Sequence, residues 1–103
     1  MGKQASGEHS ELLYETILEL KDLDECRRFF SDLCTVAELR AMEQRFEVAL
    51  LLSEGMIYND ILERTGASSA TISLVNRSLN YGADGYQAVL PRIKAKRKRD
   101  GQL

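Results

Sequence analysis

The stretch that most constrains this chain is residues 56–80, MIYNDILERTGASSATISLVNRSLN. Ile61 and Leu62 lie in its first part and Gly66 in a short Gly-Ala-Ser break. Ile72, Val75 and Leu79 then recur at i, i+3 and i+7. Apolar anchors on two short helical segments, joined by a small residue that lets the chain bend, are the pattern of a helix-turn-helix. The spacing predicts helices over 58–65 and 69–80, with Ser68 as N-cap of the second. A motif of this kind needs other helices behind it, so the rest of the sequence should supply an all-α scaffold.

It does. Residues 8–21 carry ELLYETILELK, which places Leu13, Ile17 and Leu20 on one stripe, broadened by Tyr14 and Leu18. Asp22 and Glu25 form the Asp variant of a capping box ahead of a second helix with Leu23, Cys26, Phe30 and Leu33. Thr35 and Glu38 form a stronger capping box at the head of a long helix. Leu39, Met42, Phe46, Ala49 and Leu50 define its main apolar face, and Val48, Leu51 and Leu52 add apolar surface on the other side. A helix apolar nearly all round needs partners on several sides, and a second copy of so small a chain is the expected source. Gly55 ends this helix in the left-handed conformation. Gly82 closes the helix of the motif, and Asp84-Gly85-Tyr86 opens a final helix with Tyr86, Val89, Leu90 and Ile93 inward, which runs out into the basic tail. The expectation is six helices in one domain over residues 8–91, a disordered segment over 1–7 and a basic tail over 92–103.

Composition narrows the function. At 103 residues and 44% hydrophobic, the chain can bury one core. The longest apolar run, residues 48–52, is too short to cross a bilayer, and the first residues lack a secretory apolar core. The opening MGKQAS fits the loose myristoylation pattern, which reads as accidental here. Cys26 and Cys34, eight positions apart, form no disulfide framework, and with the lone His9 they offer no metal-ligand set. No cofactor, no metal and a cytoplasmic location are expected. Carboxylates are many, but they are spaced as solvated helix faces, and no nucleophile–base pair or phosphate-binding loop accompanies them, so an enzyme is not expected.

The formal charge of −2 conceals an asymmetry. Residues 92–103, RIKAKRKRDGQL, hold six basic residues and one acidic, a balance of +5; the remainder holds eight basic and fifteen acidic, −7. Within residues 56–82, Asp60 and Glu63 offset Arg64 and Arg77. Phosphate attraction supplies most non-specific DNA affinity, so the motif alone should bind weakly, and the basic tail is the obvious supplement. The alternative for the tail is a disordered solubilising end.

The outer face of the second helix of the motif carries the chemistry. With Ile72, Val75 and Leu79 inward, Ser69, Ala70, Ser73, Leu74 and Arg77 face out. Serine can bond base edges or phosphates, Ala and Leu can meet a thymine methyl, and Arg can reach phosphate or guanine. The residues expected at DNA bases are Ser69, Ala70, Ser73 and Leu74; Ser68, Thr71 and Arg77 are expected at phosphates or in positioning the helix.

The segments LKDLDECRRFFSDLCTVAEL, MEQRFEVALLLSEG, TGASSATIS and RSLNYG resemble the Trp repressor superfamily, and more closely its YerC/YecD branch. The resemblance covers most of residues 12–90. It implies an all-helical, intertwined homodimer with a recognition helix in the major groove, acting as a bacterial regulator of transcription, with double-stranded DNA as its partner. In Trp repressor the indole lies between two Arg side chains. The resemblance puts Arg45 in the place of the first, and Thr35 in that of a residue whose backbone takes part in binding the amino acid. Leu74 stands where the second Arg would be, and Val75 replaces a Gly that leaves room beside the indole. A lost cation and an added branched side chain both disfavour tryptophan, although the groove near Thr35 and Arg45 could hold another effector. A protein-interaction module that keeps the fold without reading DNA is the alternative function.

Overall fold

A computed structural model describes residues 10–101, which form six α-helices and, among the described residues, no strand. They are α1 (Glu11–Ile17), α2 (Leu23–Leu33), α3 (Val36–Ser53), α4 (Tyr58–Thr65), α5 (Ser69–Tyr81) and α6 (Gly85–Arg99). The expected segment over 1–7 lies outside the described residues. The chain divides into two compact units, with the boundary between Leu39 and Arg40.

The first unit holds α1, α2 and the start of α3. Ser10 caps α1 by accepting the Leu12 N–H, 3.2 Å. The helix ends at Ile17, well short of the expected Lys21. The cause is the next helix start: Asp22 must be extended (φ −152°) to accept the Glu25 N–H at 2.8 Å. The intervening backbone tightens instead, with i→i+3 bonds from Glu19 N–H to Thr16 O and from Leu20 N–H to Ile17 O. Glu25 reaches one residue beyond a standard capping box, accepting from the Lys21 N–H. Neither α1 nor α2 contains a fully buried residue. Leu12 and Leu18 are 71% and 82% exposed, and Leu23 and Leu33 are also exposed.

The Thr35–Glu38 capping box forms in full: the Thr35 N–H donates to Glu38 Oε1 (2.8 Å) and the Glu38 N–H to Thr35 Oγ1 (3.1 Å). Two of the four orphan donors at the head of α3 are thereby satisfied, which favours a helix start at Val36.

The second unit holds the core. Val48, Ala49 and Leu51 of α3 pack with Ile61 of α4, Ala67 of the turn, and Ile72 and Val75 of α5. Burying the side chains of Val48, Ile61, Ile72 and Val75, each at 2% exposure or less, contributes about 1.5–3 kcal/mol apiece. Burial on α3 centres on Val48, Ala49 and Leu51, so the face led by Phe46 is not the one fully covered; Phe46 remains 37% exposed. Met56, Leu62 and Tyr86 fill the margin.

The final helix runs on into the basic tail. It continues through Pro91 to Arg99, so residues 92–99 are helical. Pro91 cannot donate to the Gln87 carbonyl, but that costs the ladder one bond, and the following Ala, Lys and Arg residues are good helix formers. Leu90 is buried and Ile93 half-buried, anchoring the middle of the helix.

Candidate nucleic-acid interface

Helices α4 and α5 meet through a turn whose geometry follows from three residues. Gly66 adopts φ 72°, the left-handed cap of α4, and its N–H donates to Leu62 O. Any L residue there would place Cβ against the following carbonyl, which is why glycine occupies this position. Ala67 is buried, so the turn is nailed to the core rather than looped into solvent. Thr65 Oγ1 donates to Ile61 O and accepts the Ala67 N–H, closing the bend from its other side. Gln44 on α3 then donates to Thr65 O (3.2 Å), tying the bend to the long helix behind it. Neither Ala67 nor Gln44 stands out in the sequence, because neither belongs to a periodic apolar face.

Helix α5 starts where expected. Ser68 Oγ accepts the Thr71 N–H at 3.1 Å and donates to Thr71 Oγ1 at 3.1 Å. Both hydroxyls are thus engaged in the cap, which makes them positioning groups for the first turn. Ile72 and Val75 point into the core while Ser69, Ala70, Ser73, Leu74 and Arg77 are all exposed. At 100° per residue those five span an arc of roughly 140° opposite the buried stripe. The outer face is a shallow ledge of small and hydroxylated side chains, with Leu74, 58% exposed, at one edge and the Arg77 side chain one turn further on. The C-terminal end of α5 is held by Gln87, whose side chain donates to Leu79 O (2.8 Å).

Of the two residues considered for an effector, Thr35 uses its hydroxyl and its N–H in the capping box. Arg45 is exposed on α3. An open hollow of about 390 Å³ lies between the C-terminal end of α5 and the start of α6, lined by Phe46, Ser78, Tyr86 and Val89 among others. It is walled by the tilted Phe46 and Tyr86 rings, 6.2 Å apart. No group of three His, Cys, Asp or Glu side chains among the described residues could hold a metal ion.

A bent α4–α5 pair on a long helix is the arrangement in which known relatives can be compared. The family model described as Trp repressor protein matches residues 8–94. The chain belongs to the Trp repressor family. It is 53% identical over 88 residues to YerC of Bacillus subtilis (strain 168), an uncharacterized protein, with 85% of each chain covered. Among solved structures it is similar to a TrpR-like protein from Eubacterium eligens, at 58% identity and a TM-score of 0.79, covering 82% of this chain and 87% of that one. A second, from Staphylococcus aureus, has the same TM-score at 44% identity, covering 82% and 84%. Family membership accounts for the six-helix architecture; proteins of this family are regulators rather than enzymes. No described helix is long and apolar enough to cross a membrane.

Proposed function

We propose that this protein is a homodimeric transcriptional regulator that reads a palindromic DNA site with α5. The observation that carries the reading is the outer face of α5. It offers Ser69, Ala70, Ser73, Leu74 and Arg77 on one exposed arc, on a helix whose start is capped and whose back is locked by Ile72 and Val75. Small side chains let a helix lie deep in the major groove, where Ser can bond base edges and Leu74 can meet a thymine methyl. Ser68 and Thr71 hold the first turn, and Arg77 adds a phosphate or guanine contact.

Dimerisation is supported by the apolar side chains of α1, its C-cap and α2 that the single chain leaves uncovered, Leu12, Leu18, Leu23 and Leu33. An isologous dimer would cover them and present two copies of α5. Half-sites would then lie about one helical turn, roughly 34–36 Å, apart. Selection of genomic fragments by the purified protein should enrich a palindrome; recovery of no shared site would sink this reading.

Tryptophan is not the effector in this reading. Leu74 and Val75 stand where the family resemblance calls for an Arg and a Gly, so the cation is missing and the space is filled. Isothermal titration should give no saturable heat with tryptophan, and micromolar binding would overturn the assignment.

A second function is favoured by one feature, the exposed Leu74 on a motif with no net charge. A protein-interaction module would use Leu74 as an apolar anchor. A stable heteromeric complex on gel filtration, with no DNA shift at low salt, would select it.

A further inference from the structure

We infer that the C-terminal half of α6 is a helical arm that grips the DNA backbone outside the region read by α5. The inference rests on the DNA-binding reading above and assigns it a second contact surface. Six of the fourteen basic residues of the chain fall in residues 92–99, all within α6. Arg92, Lys96 and Arg99 recur at i, i+4 and i+7 and so share one face; Lys94 and Lys98 share another. Arg92, Lys96, Lys98 and Arg99 are exposed. The single acidic group nearby, Asp100, meets Lys96 at 3.0 Å in an exposed pair, which neutralises little of the arm.

Two bland explanations fall short. Cations in a final turn complement the helix dipole, but that effect fades within one turn, and Arg92 and Lys94 lie before it. A solubilising tail has no need of order, yet this segment is helical and rooted in the second unit. Leu90 is buried, Ile93 is half-buried, and Lys94 Nζ donates to Ser53 O at the end of α3, 3.4 Å. Helix α6 also folds back beside α5: Gln87 bonds Leu79 O, and Pro91 and Lys94 line the same hollow as Asn76 and Asn80. The arm therefore springs from the flank of the proposed recognition helix.

The need for it is electrostatic. Residues 56–82 carry no net charge and the chain outside the last twelve residues is at −7, so a reader of DNA needs phosphate contacts beyond the few that α5 can offer. Among the described residues this is the one cluster of cations. The family match ends at residue 94, so Lys96 to Arg99 lie beyond what the family model describes.

The test uses the full chain with three probes: a duplex carrying the selected palindrome, an unrelated duplex and a single-stranded RNA. Affinity is measured across salt concentrations. R92Q/K96Q/K98Q/R99Q keeps strong helix formers in place. It should weaken binding to both duplexes alike, by tenfold or more near 0.1 M salt, and lower the log–log salt slope by at least about 2, since each phosphate contact contributes roughly 0.9. Its melting temperature should match that of the parent chain. Ala95→Pro retains every charge but interrupts the helix after Lys94, and should also weaken both duplexes. Leu74→Ala should reduce discrimination between the duplexes while leaving the slope unchanged. If the parent chain binds neither duplex, the DNA reading itself fails. If it binds and the quadruple variant binds equally with the same slope, the arm alone is refuted. Parent-like binding by Ala95→Pro would refute a helical arm, and loss confined to the single-stranded RNA would refute duplex DNA as its partner.

Discussion

Gly82 shows how much one atom decides at the end of α5. Its φ of −88° lies outside the left-handed region, so the case for glycine here is the space around it. A Cβ at this position would instead collide with the backbone carbonyl of Ser78, an atom that accepts the Gly82 N–H and cannot swing aside. At Gly85, three residues on, an alanine methyl would meet nothing within 4 Å. Gly82→Ala should therefore destabilise the protein by about 1–3 kcal/mol, the range for overpacking, while Gly85→Ala should be neutral or slightly stabilising. Urea titration of the two variants checks this, and equal stabilities would contradict the role given to Ser78 O. Thr35 makes the same point about local chemistry. Its capping box is legible from two residue types three positions apart, because both bonds are made within one turn.

At the scale of elements, α5 depends on its first turn. The Ser68 cap satisfies the Thr71 N–H and ties up the Thr71 hydroxyl. Ser68→Ala should cost about 1 kcal/mol of stability and loosen the turn that carries Ser69 and Ala70. DNA affinity should fall further than stability does, measurable as a weaker shift with a fold still complete by circular dichroism; unchanged affinity would mean that the first turn does not touch DNA. The limits of α4 and α5 and their buried positions follow from periodicity and caps, and the structure places them within a residue of expectation. Helix α1 does not follow so well. For α1, the apolar stripe runs on to Leu20, but the extended conformation required at Asp22 ends the helix first. Helix α6 runs on into the basic tail as expected, with the burial of Leu90 and the Lys94–Ser53 bond anchoring it on either side of Pro91.

The whole molecule has a small core for its length. Among the described residues the eight buried apolar ones all lie beyond Leu39, and α1 and α2 contribute none. Exposed leucines on two helices need a cover, and a second copy would supply it. Thermal unfolding should then depend on protein concentration, with the midpoint rising as the chain is made more concentrated. A midpoint independent of concentration over two decades, together with a monomeric mass in sedimentation, would exclude a dimer.

What the sequence determined by itself is whatever depends on neighbours a few residues apart: the helical class, the caps at Ser68, Asp22 and Thr35, the left-handed Gly55, the bend at Gly66, and the inward stripe of α5. Periods of 3.6 and bonds within a turn are written in adjacent residues. Only the tertiary structure decided the burial of Ala67, the Gln44–Thr65 link and the Lys94–Ser53 bond that anchors α6, because each depends on groups brought together from distant parts of the chain. A single alanine in a turn and one amide on a long helix leave no pattern in the sequence. Their meaning comes from what folds against them.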